Sequence, residues 1–283
     1  MSFTNRDIAD YYNQTLNHYQ KWWKLNKVMA VHYGMWDDTT KTFAEALENT
    51  NRKLMEVAEV KTGERILDAG CGVGGSAFYL ANKKNAIVTG ITLSEKQLHF
   101  AKQKKEESIQ SGLLDFKLMD YTQTSFKQNT FDLIWAIESI TSAPDKKKFA
   151  KEAFRVLKPG GRLIIADYFK SPGNKPDKNN WLMKWQNCWS LAEIMTEKPY
   201  LEIFEKEGFR VVKNIDVTKN IYPSSKIMYR SYLKGAIPSM VYNAFHNTSR
   251  FAKTHYLSGK YQYKALKEGL WNYRILLFTK NKN

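Results

Sequence analysis

The chain has 283 residues, 43% of them hydrophobic and 25% charged, a balance that supports a packed core and excludes a disordered polymer. Its two cysteines, Cys71 and Cys188, are too few for a disulfide framework or a cysteine metal cluster. No apolar run approaches the roughly 20 residues that cross a bilayer, and the net charge is +16. That charge admits nucleic acid, peripheral contact with an anionic membrane, an acidic small molecule, or simply lysine-rich solvated helix faces. Met1–Asp7 has no apolar core of a secretory signal, so the sequence reads as a reduced, cytoplasmic protein.

Residues 1–60 read as a helical segment rich in aromatics (Tyr11, Tyr12, Tyr19, Trp22, Trp23, Tyr33, Trp36), a lid ahead of a main domain over 61–283. In that domain short β-rich runs alternate with helical stretches, the pattern of a parallel sheet covered by helices. Arg65–Asp68 is the first strand, followed by the Gly-rich turn Ala69–Gly75 and a helix from about Ser76. Ala86–Ile91 is the second, and Ser94 caps a helix that runs to Lys105. Asp115–Met119, Phe131–Ile137 and Arg162–Asp167 follow, and Phe209–Asp216 and Trp271–Thr279 complete the set. The fold expected is a doubly wound, seven-stranded α/β sheet. Two segments stand outside the alternation: 170–200, which opens on the turn Ser171–Pro176, and 220–265 between the last two strands. Connections of that length read as folded caps, placed where they can close over a ligand at the carboxyl ends of the strands.

Gly70-Cys71-Gly72-Val73-Gly74-Gly75 satisfies G-x-G-x-x-G, so a dinucleotide enzyme is the first rival. Asp68, at the strand end before the turn, would repel a pyrophosphate but attract an ammonium. The second strand ends in Gly90-Ile91-Thr92, without the acid expected about 20 residues on for a dinucleotide ribose. The fingerprint does not fit.

Several motifs together resemble the class I S-adenosylmethionine-dependent methyltransferases, nearest the branch with sterol, tocopherol and cyclopropane-lipid enzymes. Leu67–Gly75 is similar to that family's first cofactor motif, and Thr89–Gln97 to a T-L-S-x-x-Q form of the second. Phe131–Glu138 resembles its fourth-strand motif, and Phe154–Gly161 its turn before strand five. His32–Trp36 is similar to an N-terminal element that folds over the cofactor in this branch. The resemblance implies a Rossmann-like sheet with an antiparallel last strand, and S-adenosyl-L-methionine as cofactor. It implies that Asp68 holds the methionine ammonium and that Gly70 and Gly72 let the backbone approach. Gln97, with Thr92 and Leu93 beside it, would reach the ribose hydroxyls. Asp120 would accept from the adenine amino group with Tyr121 beside the ring, Ile137 would line the methionine end, and Tyr33 would close the site from the lid.

On the acceptor side, Trp181, Trp185 and Trp189 recur at i, i+4 and i+8 and share one helix face. They read either as a docking stripe or as a pocket wall. Tyr222, Met228, Tyr229, Tyr232, Met240, Tyr242 and Phe245 add bulk to the second cap. The expectation is a small, lipophilic acceptor: isoprenoid, quinol or sterol-like. Related enzymes carry a histidine four residues after the strand-four acid, where this chain has Ser142. Glu138 is therefore the first candidate for a catalytic acid–base residue and His32 the second, with no metal expected. A nucleic-acid methyltransferase, a small-amine N-methyltransferase and a non-catalytic binding protein are the alternatives.

Overall fold

The structure, a computed structural model, describes residues 3–23, 25–173 and 175–281. Asn174 of the expected turn and the side chain of Trp22 lie outside the described residues. Among these, seven strands form one sheet: β1 (Arg65–Ala69), β2 (Ile87–Thr92), β3 (Leu114–Leu118), β4 (Phe131–Ile137), β5 (Leu157–Lys170), β6 (Phe209–Asp216) and β7 (Trp271–Lys280). Their order is β3-β2-β1-β4-β5-β7-β6, with β7 antiparallel to both neighbours. The fold is therefore Rossmann-like, and all seven strands fall where the β-rich runs placed them. The other boundaries agree to within a single residue, but β5 is longer at both ends. β5 begins at Leu157, which pairs with Phe131 ahead of a register shift, so the Pro-Gly-Gly stretch is a bulge inside the strand.

Alternation along the strands gives the sheet two apolar faces. Ile66, Val88, Trp135 and Ile164 point to one, which is covered by α3 (Phe43–Val57), α4 (Gly75–Lys84), α7 (Trp181–Trp189) and α11 (Ser258–Lys267). Leu67, Ile134, Ile165 and Phe278 point to the other, against α6 (Lys146–Val156) and α8 (Glu197–Lys206). α5 (Glu95–Glu106) begins at Ser94, whose hydroxyl accepts from the Gln97 N–H and so starts the helix in a fixed register.

The N-terminal segment divides into two parts. α1 (Asn5–Trp22) and the short α2 (Leu25–Val28) lie over the carboxyl ends of the strands, where Ile8, Tyr11, Tyr12 and Tyr19 face inward. α3, by contrast, is core: Ala46, Leu47, Thr50 and Leu54 are fully buried. Between them His32–Trp36 runs as a strap. Ser224 donates to the Gly34 carbonyl, and the Met35 N–H donates to Ala46 and Thr50. The cap over 220–265 is α9 (Thr218–Phe245), α10 (Arg250–Thr254) and α11. Only the first part of α9 packs on the domain.

Candidate active site

The floor of the site is the turn after β1. Gly70 reverses the chain at φ +86°, and a Cβ there would fall 2.5 Å from that of Ser139. No other residue suits both the dihedral and the space. At Gly75 a Cβ would sit 1.9 Å from the Met29 carbonyl oxygen, so the chain after α2 presses directly on the start of α4. A cavity remains between floor and roof. Gly72, Thr92, Leu93, Gln97, Tyr121 and Ile137 line one end of it.

Two polar groups at that end have bonding capacity to spare. Asp68 is 2% exposed, and its Oδ2 has no hydrogen-bond partner among the described residues. Burial raises its carboxyl to about 7. A buried carboxylate with an open oxygen is completed best by a cationic donor. Gln97 accepts at Oε1 from the Thr92 hydroxyl (2.9 Å), while its Nε2 donates to no described residue. That leaves the amide N–H groups for a ligand hydroxyl.

At the other end the polar groups are tied together. Glu138 leaves β4 in the left-handed region (φ +50°), and its Oε1 accepts from the Tyr33 N–H (2.7 Å) and the Tyr273 hydroxyl (2.8 Å). Oε2 accepts no hydrogen bond from a described residue, and the side chain lines the cavity. Burial pushes the Glu138 carboxyl well above the usual range, the two donors pull it partly back, and the Asp167 charge adds to the rise. His32 Nδ1 lies 2.9 Å from the Tyr33 carbonyl, which can only accept, so Nδ1 carries the proton and Nε2 keeps its lone pair. Burial lowers the imidazole to about 4, hence neutral at physiological pH. Ser142 also lines the cavity, with a buried hydroxyl that has no partner among the described residues.

Two residues expected at the cofactor are not among those that line the cavity. Asp120 does not line the cavity: Oδ1 accepts from Thr122 and Oδ2 from Asn5 (2.6 Å), so it is a turn residue that also ties down α1. Tyr33 turns its ring away from the cavity, against Trp189, Trp271 and Tyr273, and its hydroxyl donates to Gln262 (2.9 Å). Only its backbone serves the site. The second correction concerns the caps. Trp185 is a docking residue at 0% exposure and Trp189 is a pocket wall, so the tryptophan stripe has both roles. None of Tyr222, Met228, Tyr229, Tyr232, Met240, Tyr242 and Phe245 reaches the cavity, because α9 runs past it. Beside Glu138 the cavity is walled instead by Tyr12, Tyr168, Trp189 and Leu191. The spacing of Ile8, Tyr11, Tyr12, Thr15 and Tyr19, one face of a helix, was the available signal for α1 as roof.

Comparison with known proteins gives the site its chemistry. Residues 67–165 match a methyltransferase-domain family model. Methyltransferase GfsG of Streptomyces halstedii is 33% identical over 223 residues, 78% of this chain and 78% of the relative. The chain belongs to the class I S-adenosylmethionine-dependent methyltransferases. Chloroplastic tocopherol O-methyltransferase of Arabidopsis thaliana is 29% identical over 246 residues, 81% of this chain and 70% of that protein. A solved geranyl diphosphate methyltransferase, in complex with GPP and sinefungin, shares the fold with a TM-score of 0.76 at 18% identity, over 98% of each chain.

S-adenosylmethionine fits the residues of this methyltransferase. The unpartnered Asp68 Oδ2 would meet the ligand's ammonium, and the unused Gln97 Nε2 would meet its ribose. The aromatic edge of Tyr121, whose hydroxyl is fixed on the Ser139 carbonyl (2.8 Å), would face the base. Among the described residues no helix is long and apolar enough to cross a membrane.

Proposed function

We propose that this enzyme methylates a hydroxyl oxygen of a neutral, lipophilic small molecule, isoprenoid-, quinol- or sterol-like. One observation carries the reading. The acceptor end has aromatic and aliphatic walls around one buried carboxyl, and no lysine or arginine lines the cavity among the described residues. A phosphorylated acceptor would leave its charge buried and unpaired there. The same argument weighs against a polynucleotide, despite the charge of +16. The O-methylating relative from Arabidopsis supports an oxygen acceptor.

The cofactor, when bound, supplies a methyl group already activated on a sulfonium. The protein's work is to hold the acceptor in line and to take its proton. Glu138 suits that second task. A carboxyl raised by burial ionises when a cation is brought near it, and its proton affinity climbs again once that positive charge is lost. As the S–CH₃ bond breaks and its electron pair stays on sulfur as a neutral thioether, the acceptor oxygen would take the methyl and its proton would pass to Glu138 Oε2. The donors on Oε1 hold the group in place throughout. His32 Nε2, neutral and unprotonated, is the second proton acceptor. A small amine is the second reading, since the rings of Tyr12, Tyr168 and Trp189 beside Glu138 also suit a cation.

The test is incubation of the enzyme and isotopically labelled S-adenosylmethionine with lipophilic alcohols and quinols, small amines, and a phosphorylated isoprenoid. Label is expected in an ether of a neutral alcohol or phenol. Transfer confined to the amines or to the phosphorylated compound overturns the reading.

A further inference from the structure

The part of the cap that misses the cavity has its own pattern. Thr218–Lys267 holds nine lysines and arginines and no aspartate or glutamate. That one segment carries more than half of the chain's excess of +16. From Tyr229 to Arg250 no residue is buried: the second half of α9 touches the rest of the chain along one face only, where Tyr232 stacks on Tyr256 and Asn243 donates to the Lys253 carbonyl (2.9 Å). Its side chains are nevertheless apolar. Leu233, Ile237, Met240, Val241 and Phe245 fall at i, i+4, i+7, i+8 and i+12, one face of the helix. Ile237 is 69% exposed and Phe245 is 81% exposed. Lys226, Arg230 and Lys234 continue the same face back toward the domain. An exposed row of large apolar side chains has no folding role to explain it.

We infer that the projecting half of α9 docks the enzyme on an anionic lipid bilayer. Leu233, Ile237, Met240, Val241 and Phe245 enter the headgroup–acyl boundary, and Lys226, Arg230 and Lys234 meet the lipid charges. Each part of the pattern excludes a rival. A second copy of the chain would bring one acid-free, basic cap against another. A nucleic acid would engage the cations but leave the apolar row in water. A charged lipid surface uses both. The helix is not apolar enough to cross a membrane, so it lies on the surface. The inference does not depend on the acceptor: none of these side chains touches the cavity.

Co-sedimentation of the full-length protein tests it, with vesicles of phosphatidylcholine alone and of phosphatidylcholine mixed with phosphatidylglycerol, across a salt series. The protein is expected on the mixed vesicles, far less on the neutral ones, and less at higher salt. The pair Ile237→Glu and Phe245→Glu should lower that binding by about tenfold or more, as should the triple Lys226→Glu, Arg230→Glu, Lys234→Glu. Thermal midpoint and S-adenosylhomocysteine affinity should stay unchanged in both, which separates docking from folding and from the active site. No binding to mixed vesicles, or binding that survives both sets of substitutions, overturns the inference. So does a dimer in sedimentation velocity that the apolar pair dissolves while vesicle binding is absent. Binding of RNA without binding of vesicles would reassign the face to nucleic acid.

Discussion

The two ends of the cavity are built on opposite plans. The cofactor end rests on a glycine turn and presents polar atoms with no partner among the described residues, Asp68 Oδ2 and Gln97 Nε2. The acceptor end is a box of aromatic rings around a network that runs from Glu138 through Tyr33 and Gln262 to Ser225, with the Ser142 hydroxyl and Trp189 Nε1 left without a partner among the described residues. An open carboxylate and amide on a glycine turn select a ligand by its charges and hydroxyls, whereas a box walled by aromatic rings selects largely by shape. On the proposed reading, family chemistry resides at the first end and substrate identity at the second.

The largest test of that contrast is Glu138→Gln. The amide still offers an oxygen to the Tyr33 N–H and the Tyr273 hydroxyl but takes up no proton. Turnover should fall by about 10²–10⁴-fold while calorimetry finds cofactor affinity near that of the parent. Persisting turnover would move the proton to His32 Nε2; lost cofactor binding would erase the division between the ends.

Asp68→Asn comes next and should act on the cofactor alone, weakening its binding by about 1–3 kcal/mol. The parent's affinity should fall as pH drops below about 7, where the carboxyl takes its proton, and Asp68→Asn should remove that slope. The ligand-free protein gives the converse. The folded carboxyl sits at about 7 against 3.8 for the free group, so the stability it confers is present below 3.8 and lost as pH rises through 7. In calorimetric or fluorescence melts Asp68→Asn should therefore gain on the parent across that window and hold the gain above it. A constant difference from pH 5 to pH 8 would mean that Asp68 is not buried as a lone acid.

Trp189→Phe reshapes the acceptor wall and should raise the acceptor KM by about threefold to tenfold, leaving cofactor affinity alone. An equal change in both constants would join the two ends. The smallest effect belongs to Asn5→Ala, which removes the 2.6 Å bond to Asp120. Cofactor affinity should drop by about 0.5–1.5 kcal/mol, and the α1 amides should gain less hydrogen-exchange protection when S-adenosylhomocysteine binds. Unchanged protection would make α1 a fixed roof.

The sequence was readable wherever local chemistry decides structure. β-rich runs punctuated by glycine locate the strands, and a carboxylate before Gly70 predicts a cationic ligand part, which the bare Oδ2 of Asp68 agrees with. It failed where direction matters. Periodicity shows that Met240 and Phe245 share a face with Ile237 but not whether that face looks inward, and the helix carries them outward. Tyr33 contacts Glu138 through its backbone N–H and not its ring, which spacing does not reveal. Tyr168, Trp189 and Leu191 come from segments distant from α1, so no spacing could announce that they meet Tyr12. β5 started early because Pro159-Gly160-Gly161 reads as a turn, although Leu157 ahead of it already pairs with Phe131.

α1 has a consequence for the speed of the enzyme. Ligands come and go beneath a helix anchored at points along its length: Asn5 on Asp120, the Ser94 hydroxyl on Asn13 (2.7 Å), and Gln14 against the Phe251 N–H (3.4 Å). Tyr11 adds its ring to that of Phe251, 5.8 Å away in α10, on the element that follows the projecting end of α9. Each anchor is weak alone, and an exit for the spent cofactor past α1 would need all of them released. A turnover limited by that release, rather than by bond making, would slow in viscous solvent. A surface that grips α9 and α10 would hold the far side of those anchors.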